Sequence, residues 1–416
     1  MKATEVFVAG GFPAVTYNPR LNLSLEEKLN DYIETGYKLI SITGPTKSGK
    51  TVLCNRLLPL ESSIFISGGT IEKESDFWEY ILEELNIDIE DSTAKKKTNS
   101  VEESGEFNGG INIGPFSLGA KSGDKETNLS EISKSSYKVR NLKVTALKNL
   151  QQQGIILLID DFHYVKPDIQ QSIIRSLKQP IFNGLRVIIL AVPHRAYDAI
   201  KVEAEMTGRV VQLSIPLWGD DELAEIANKG FKELNLECDP TIIDTLIKES
   251  FRSPHLMQEF CLRLCKNNGK KETVLGNPEK LSISSYKDFF SEIVETISSK
   301  SAFERLARGP RQRADRLQRQ LHDGSQVDIY AAILHGIADT GPKTEISYEE
   351  LRGSLKKVLA ENAPQGHEIT RVLTKMDEIA KSEITGEPVL DWDKKDTRLF
   401  ISDPFFAFYL RWAIKL

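Results

Sequence analysis

The stretch Gly44-Pro45-Thr46-Lys47-Ser48-Gly49-Lys50-Thr51 decides the fold, read with the apolar run Tyr37 to Thr43 before it and the helix-forming Lys50 to Leu58 after it. A strand that enters a glycine-rich turn and leaves as a helix aims backbone N–H groups and the helix dipole at one point, and a phosphate suits that point. The eight residues satisfy the pattern G-x-x-x-x-G-K-[ST] in full. Gly44 and Gly49 let the main chain approach closely, while Pro45, Thr46, Lys47 and Ser48 wrap the phosphates. Lys50 supplies a point charge to the β and γ phosphates, and the Thr51 hydroxyl ligates Mg²⁺.

Working outward, Leu21, Leu25, Leu29, Tyr32 and Ile33 recur at helical spacing ahead of the loop. Beyond it, Ser63 to Ser67 reads as a strand and Phe77, Ile81, Leu82 and Leu85 as one face of a helix. From about residue 90 to 133 apolar density collapses, and Ile111, Ile113, Phe116 and Leu118 around Gly114-Pro115 predict a small hairpin inside a mobile insertion. Ile155 to Ile159, Val187 to Val192 and Arg209 to Ile215 then read as further strands, with Ile169, Ile173, Ile174 and Leu177 marking a helix among them. Alternation of this kind predicts an α/β fold, a mostly parallel sheet with helices on both faces.

A parallel sheet binds its ligand at the carboxyl ends of its strands, so the second half of the site should be acidic and lie at such an end. Leu157-Leu158-Ile159-Asp160-Asp161 provides it: Asp160 is expected to hold the Mg²⁺ shell, and Asp161 to orient the attacking water. At the end of the following strand, His194 or Arg195 is placed to report the γ-phosphate. Arg209, at the turn into the last strand, reads more readily as a surface arginine than as a finger reaching a neighbouring subunit.

With 416 residues, 40% hydrophobic, 27% charged and a net charge of −6, the chain has the composition of a soluble multidomain protein without a general attraction to polyanions. No apolar run reaches the roughly 18 residues of a membrane span, so no membrane partner and a cytosolic (cytoplasmic) location are expected. Cys54, Cys238, Cys261 and Cys265 have neither disulfide-framework nor zinc spacing.

After Pro216 the strands stop, and helices near 220 to 235, 240 to 250 and 254 to 267 predict a lid. From about residue 325 the order of three helices, two short strands and a final helix is that of a winged helix. The expected division is a P-loop NTPase core at 1–216, a helical lid at 217–300, a basic connector at 301–324 and a winged-helix domain at 325–416. Ser347-x-x-Glu350 opens one helix with a capping box, and Ile369, Val372, Leu373, Met376 and Ile379 form the buried stripe of the next.

These residues resemble the AAA+/STAND branch of P-loop ATPases, particularly compact archaeal and bacterial ATPases and origin-recognition-like proteins. The resemblance spans nearly the whole chain and implies ATP with Mg²⁺ as cofactors and ATPase activity of a slow, regulatory kind. It also implies that a segment before the first helix and a motif in the lid pinch the adenine. Tyr17-Asn18-Pro19-Arg20 occupies the first place, giving Tyr17 and Arg20, and Ser253-Pro254-His255 the second, giving Pro254 and His255. Arg252 stands where the family has a glycine.

The exposed face of the helix in the DNA-reading position mixes Arg371 and Lys375 with Glu368, Asp377 and Glu378, which favours a protein partner over nucleic acid. Arg305, Arg308, Arg311, Arg313, Arg316 and Arg319 form a locally cationic stretch read as a connector, a protein contact or, least readily, a nucleic-acid contact. The leading functional reading is an ATP-driven switch that regulates a separate effector or recognition protein, within a homo- or hetero-oligomer. By analogy with similar bacterial proteins, phage (antiviral) defence or stress signalling is its setting. The alternatives are a DNA-associated AAA+ ATPase, initiator-like or regulating transposition, and a nucleotide-binding scaffold without turnover.

Overall fold

The computed structural model describes residues 1–87, 139–192, 208–310, 317–384 and 388–414. The expected hairpin insertion, His194, Arg195 and the arginines Arg311, Arg313 and Arg316 lie outside the described residues. Five parallel strands form the main sheet: β1 (Leu39–Thr43), β2 (Ser63–Ser67), β3 (Ile156–Asp160), β4 (Val187–Ala191) and β5 (Val210–Ser214), in the order β2-β3-β4-β1-β5. All five residues of β1 and of β4, and the first four of β3, are buried, as unbroken apolar runs require in a sheet covered on both faces. β1 starts two residues later than its apolar pattern predicts. Gly36 and Tyr37 both take left-handed φ, +63° and +58°, and turn the chain before the ladder begins.

The chain divides into two compact units. One contains Asn30–Ser41 and Leu58–Gln212. Its core is built from β2, β3 and β4 and the helices Glu74–Glu84, 139–153 and Pro167–Phe182, with Phe77, Trp78, Leu157, Leu158 and Ile173 fully buried. β2 and β3 pair in register from Ser63↔Ile156 to Ser67↔Asp160, which puts Asp160 at the end of the ladder.

The other unit contains Met1–Leu29, Ile42–Leu57 and Leu213–Leu416. It therefore holds the phosphate loop together with the lid and the C-terminal module. The lid helices Asp220–Glu233, Pro240–Glu249 and Pro254–Asn267 appear at the predicted places. Asp239 caps the second and Ser253 the third. In the C-terminal module a three-stranded antiparallel sheet, Glu345–Ser347, Arg398–Ile401 and Leu390–Asp393 in that order, packs with the helices Ile329–Asp339, Tyr348–Val358 and Gly366–Ser382, the arrangement of a winged helix. The Ser347/Glu350 capping box is formed, and Ile369, Val372, Leu373, Met376 and Ile379 are all buried.

The lid and the final helix, Pro404–Ala413, share one core: Phe408 packs with Phe260 and Phe290, and Trp412 with Phe290. The carboxylate of Glu249, 5% exposed, receives Arg411 Nε at 2.6 Å and Nη2 at 2.8 Å, and Trp412 Nε1 at 2.9 Å. A bidentate guanidinium on a buried carboxylate fixes orientation as well as distance, so the last helix is bolted to the lid. Among the described residues no helix is long and apolar enough to cross a membrane. All four cysteines are free thiols.

Candidate functional site

The phosphate loop leaves β1 where Thr43 O accepts a hydrogen bond from Ile215 N at 2.6 Å. A side chain at position 44 would bring its Cβ to 2.8 Å from Ile215 O, so glycine is required there by close packing of two backbones. Lys47, at φ +59°, and Gly49, at φ +95°, then turn the chain into the helix Lys50–Leu57. The Lys50 ammonium, on a residue 8% exposed, donates to Gly44 O and Pro45 O, each at 2.9 Å, and so lies within the turn. Ser48 Oγ is buried and makes no hydrogen bond. A sheltered hydroxyl inside a cationic turn of main chain suits an anionic oxygen, since buried donors are almost always paired. This donor set fits the phosphates of a nucleotide.

Beside the loop lies a cavity of about 70 Å³ walled on one side by Tyr17 and Arg20, on another by Gly49 and Val52, and on the third by Trp218, Pro254 and Gln258. Tyr17 is held in place twice. Its hydroxyl donates to Glu26 at 2.7 Å, and its ring lies 4.3 Å from the Arg56 guanidinium carbon, while Arg56 and Glu26 pair at 3.4 Å. Burial, and then the Glu26 carboxylate, push the phenol pKa well up, so Tyr17 stays a neutral donor. Arg20 adopts a left-handed conformation and is 4% exposed. Its guanidinium donates to Pro216 O and Leu217 O, both at 2.9 Å, pairs with Glu222 at 2.8 Å and lies 4.9 Å over the Trp218 ring. It therefore clamps the N-terminal segment to the start of the lid.

Two further cavity walls escape sequence reasoning. Trp218 Nε1 donates to Ser48 O at 2.9 Å, tying the phosphate loop to the lid, and Gln258 exchanges hydrogen bonds with Thr16. A tryptophan just past Pro216 is a usable signal, because a buried indole N–H needs an acceptor. Of the two lid residues, Pro254 lines this cavity, whereas His255 packs edge-on against Phe405, with ring centres 4.7 Å apart. Burial, and next the Lys47 charge, push the His255 pKa down to about 4, with Asp403 opposing, so the ring is neutral at pH 7. Arg252 has φ +57° and Phe251 φ +51°. The left-handed turn a glycine favours is thus kept with an arginine in it, and the lid helix still begins at Pro254.

In the other unit, Asp160 closes β3, and its Oδ1 accepts from Asp161 N at 2.9 Å. Asp161 takes φ +53° and starts the 3₁₀ turn Phe162–Tyr164. Gly68, after β2, supports that turn: a Cβ there would stand 2.4 Å from Asp161 O. Gln170 Nε2 secures it from the following helix by donating to Phe162 O at 2.8 Å. Arg209 lies over the Phe182 ring, 5.3 Å from its centre. Among the described residues no group of three or more His, Cys, Asp or Glu side chains could by itself hold a metal ion. Mg²⁺ differs from such cage-bound ions in taking one or two carboxylates together with substrate phosphates; Thr51 presents a hydroxyl in one unit and Asp160 a carboxylate in the other.

No protein-family model and no curated protein matches the sequence. Solved structures do. The Walker-type ATPase PABY2304 of Pyrococcus abyssi is 15% identical, over 93% of this chain and 95% of that one, with a TM-score of 0.52. Cdc6p from Pyrobaculum aerophilum is 13% identical over 99% and 98%, with a TM-score of 0.44. The Aeropyrum pernix ORC1 protein, solved with DNA, is 12% identical over 98% and 96%, with a TM-score of 0.47. At such identities the likeness is one of fold, and the chain has the fold of a Walker-type P-loop ATPase.

Proposed function

We propose that the chain is an ATP- and Mg²⁺-dependent switch in which nucleotide sets the position of the lid and, through it, of the C-terminal winged helix. The observation that carries this reading is the cavity beside the phosphate loop, whose walls come from the N-terminal segment, the loop helix and the lid. The cavity is small, about 70 Å³. A purine ring enters only if the walls part, and the lid wall carries the final helix through Glu249. Nucleotide affinity and domain position are thereby linked.

In this reading the amides from Thr46 to Lys50 and the Lys50 ammonium hold the phosphates, Tyr17 and Pro254 border the base, and Thr51 and Asp160 hold Mg²⁺. Asp161 orients the attacking water, and hydrolysis resets the position of the lid. The main test is isothermal titration with ATPγS and Mg²⁺, comparing the native chain with Lys50→Ala. Asp161→Asn separates turnover from binding: it should bind normally and hydrolyse slowly, and full activity in that variant removes Asp161 from the mechanism. An unchanged, negligible rate in both proteins supports the scaffold without turnover.

A protein partner is favoured over DNA by the way basic groups are neutralised in the described C-terminal region. Arg305 pairs with Glu383, Arg319 with Glu368, Lys375 with Glu378, and Lys381 with both Asp377 and Asp391. The DNA-associated reading predicts ATP-dependent binding that weakens steeply with salt and disappears in the Arg311→Ala/Arg313→Ala/Arg316→Ala variant. A setting in phage defence or stress signalling rests on analogy alone, and loss of protection from phage in a Lys50→Ala strain is its test.

A further inference from the structure

Lys47 is the one cationic side chain among the four variable positions of the phosphate loop, and it is tied to the C-terminal module. Its Nζ stands 2.6 Å from Asp403 Oδ1 and 4.8 Å from the centre of the Phe405 ring. The pair is partly sheltered, with side-chain exposures of 27% for Lys47 and 14% for Asp403. Asp403 is also the N-cap of the final helix, and the same Oδ1 accepts from Phe405 N at 2.9 Å. At its far end this helix holds the lid through Arg411, Trp412 and Glu249. His255, in the first turn of a lid helix, packs on Phe405 beside the ion pair. Being neutral, it leaves Asp403 to Lys47.

The loop thus has two lysines with different partners. Lys50 is held by the carbonyls of its own turn, while Lys47 is held by a carboxylate 356 positions away in sequence. A terminal phosphate in the same turn carries more negative charge than one carboxylate and competes for the Lys47 ammonium. We propose that Lys47 and Asp403 form a phosphate-gated latch, in which the terminal phosphate of a bound nucleoside triphosphate takes the Lys47 ammonium from Asp403 and frees the C-terminal module from the loop, while a diphosphate leaves the latch closed. This rests on the nucleotide reading of the loop given above. The latch opposes triphosphate binding by the strength of one charge-assisted hydrogen bond, a factor of about ten in affinity.

The test uses the full chain and Asp403→Asn, which removes the charge but keeps a side-chain oxygen that caps the helix. In the native chain, amide exchange at Phe405, Phe406 and Ala407 should rise about tenfold on saturation with ATPγS and Mg²⁺ relative to ADP and Mg²⁺. In Asp403→Asn, exchange should be fast with either nucleotide, and the affinity ratio of ATPγS to ADP should rise about tenfold, matching the lost competition. Lys47→Met should open the latch in the same way, and Lys47→Met/Asp403→Asn should exchange no faster than either single variant. Equal exchange with both nucleotides in a native chain that binds both overturns the latch alone. An unchanged affinity ratio in Asp403→Asn does the same. Absence of binding heat for either nucleotide in the native chain overturns the nucleotide site and the latch together.

Discussion

Gly68→Ala tests whether the Asp160–Asp161 turn is built for chemistry. The added Cβ would stand 2.4 Å from Asp161 O, 2.8 Å from Asp161 C and 3.1 Å from Phe162 Cα, all of them backbone atoms that cannot swing aside. Real contacts of this kind begin near 3.0 Å, so the turn must retreat by at least 3.0 − 2.4 = 0.6 Å. Gln170 and the 3₁₀ turn anchor the far side of Asp161, so the displacement falls on Asp161 itself. A misplacement on the order of 1 Å in a water-orienting group costs up to about a hundredfold in rate, and a shift of 0.6 Å is expected to lower kcat by about ten- to thirtyfold. Nucleotide affinity, which the proposed function assigns to the phosphate loop, should change less than about twofold. Steady-state phosphate release and titration with ATPγS give the two numbers. A Gly68→Ala variant that keeps at least half the native kcat refutes the assignment of Asp161.

Three further outcomes follow from the contacts. Glu249→Ala leaves the buried ends of Arg411 and Trp412 without their acceptor; with Arg411 30% exposed, the loss is about 2 kcal/mol rather than the larger cost of a fully buried pair. It is measured as a lower urea midpoint together with faster amide exchange in Pro404–Ala413. Arg252→Gly relieves an arginine held at φ +57° and should raise stability by up to about 1 kcal/mol in the same titration. His255, with its folded pKa lowered to about 4 from 6.5, is taken up by protons first in the unfolded chain. Its contribution is present above about pH 6.5 and is lost between 6.5 and 4, amounting to about 2 kcal/mol after discounting for residual exposure. The facing charges are Lys47 and Asp403, so the slope of urea midpoint against pH should flatten in His255→Phe.

What the sequence disclosed is what a short window can encode. The phosphate loop, the apolar strand ending in Asp160, the lid helices and the stripe from Ile369 to Ile379 each announce themselves by spacing within about ten residues. The strand order, with β4 next to β1, is invisible to such patterns, because a buried strand records that it has neighbours and not which ones. The same limit hid Asp403, whose partner Lys47 is hundreds of positions away, and Gly68, whose need for glycine comes from the backbone of Asp161. Arg252 stands where the family has a glycine. The arginine takes the left-handed conformation itself, at φ +57°. His255 directly follows Pro254 of the cavity wall in sequence, yet the helix turns it toward Phe405 instead.

The central claim is that the main chain around Lys50 holds a triphosphate. Titration of ATPγS with Mg²⁺ into the native chain and into Lys50→Ala tests it most directly. The account predicts saturable one-to-one binding to the native chain and a loss of about a hundredfold or more in Lys50→Ala, the expected effect of removing a sheltered charge from a phosphate. Equal affinity in the two proteins would contradict it.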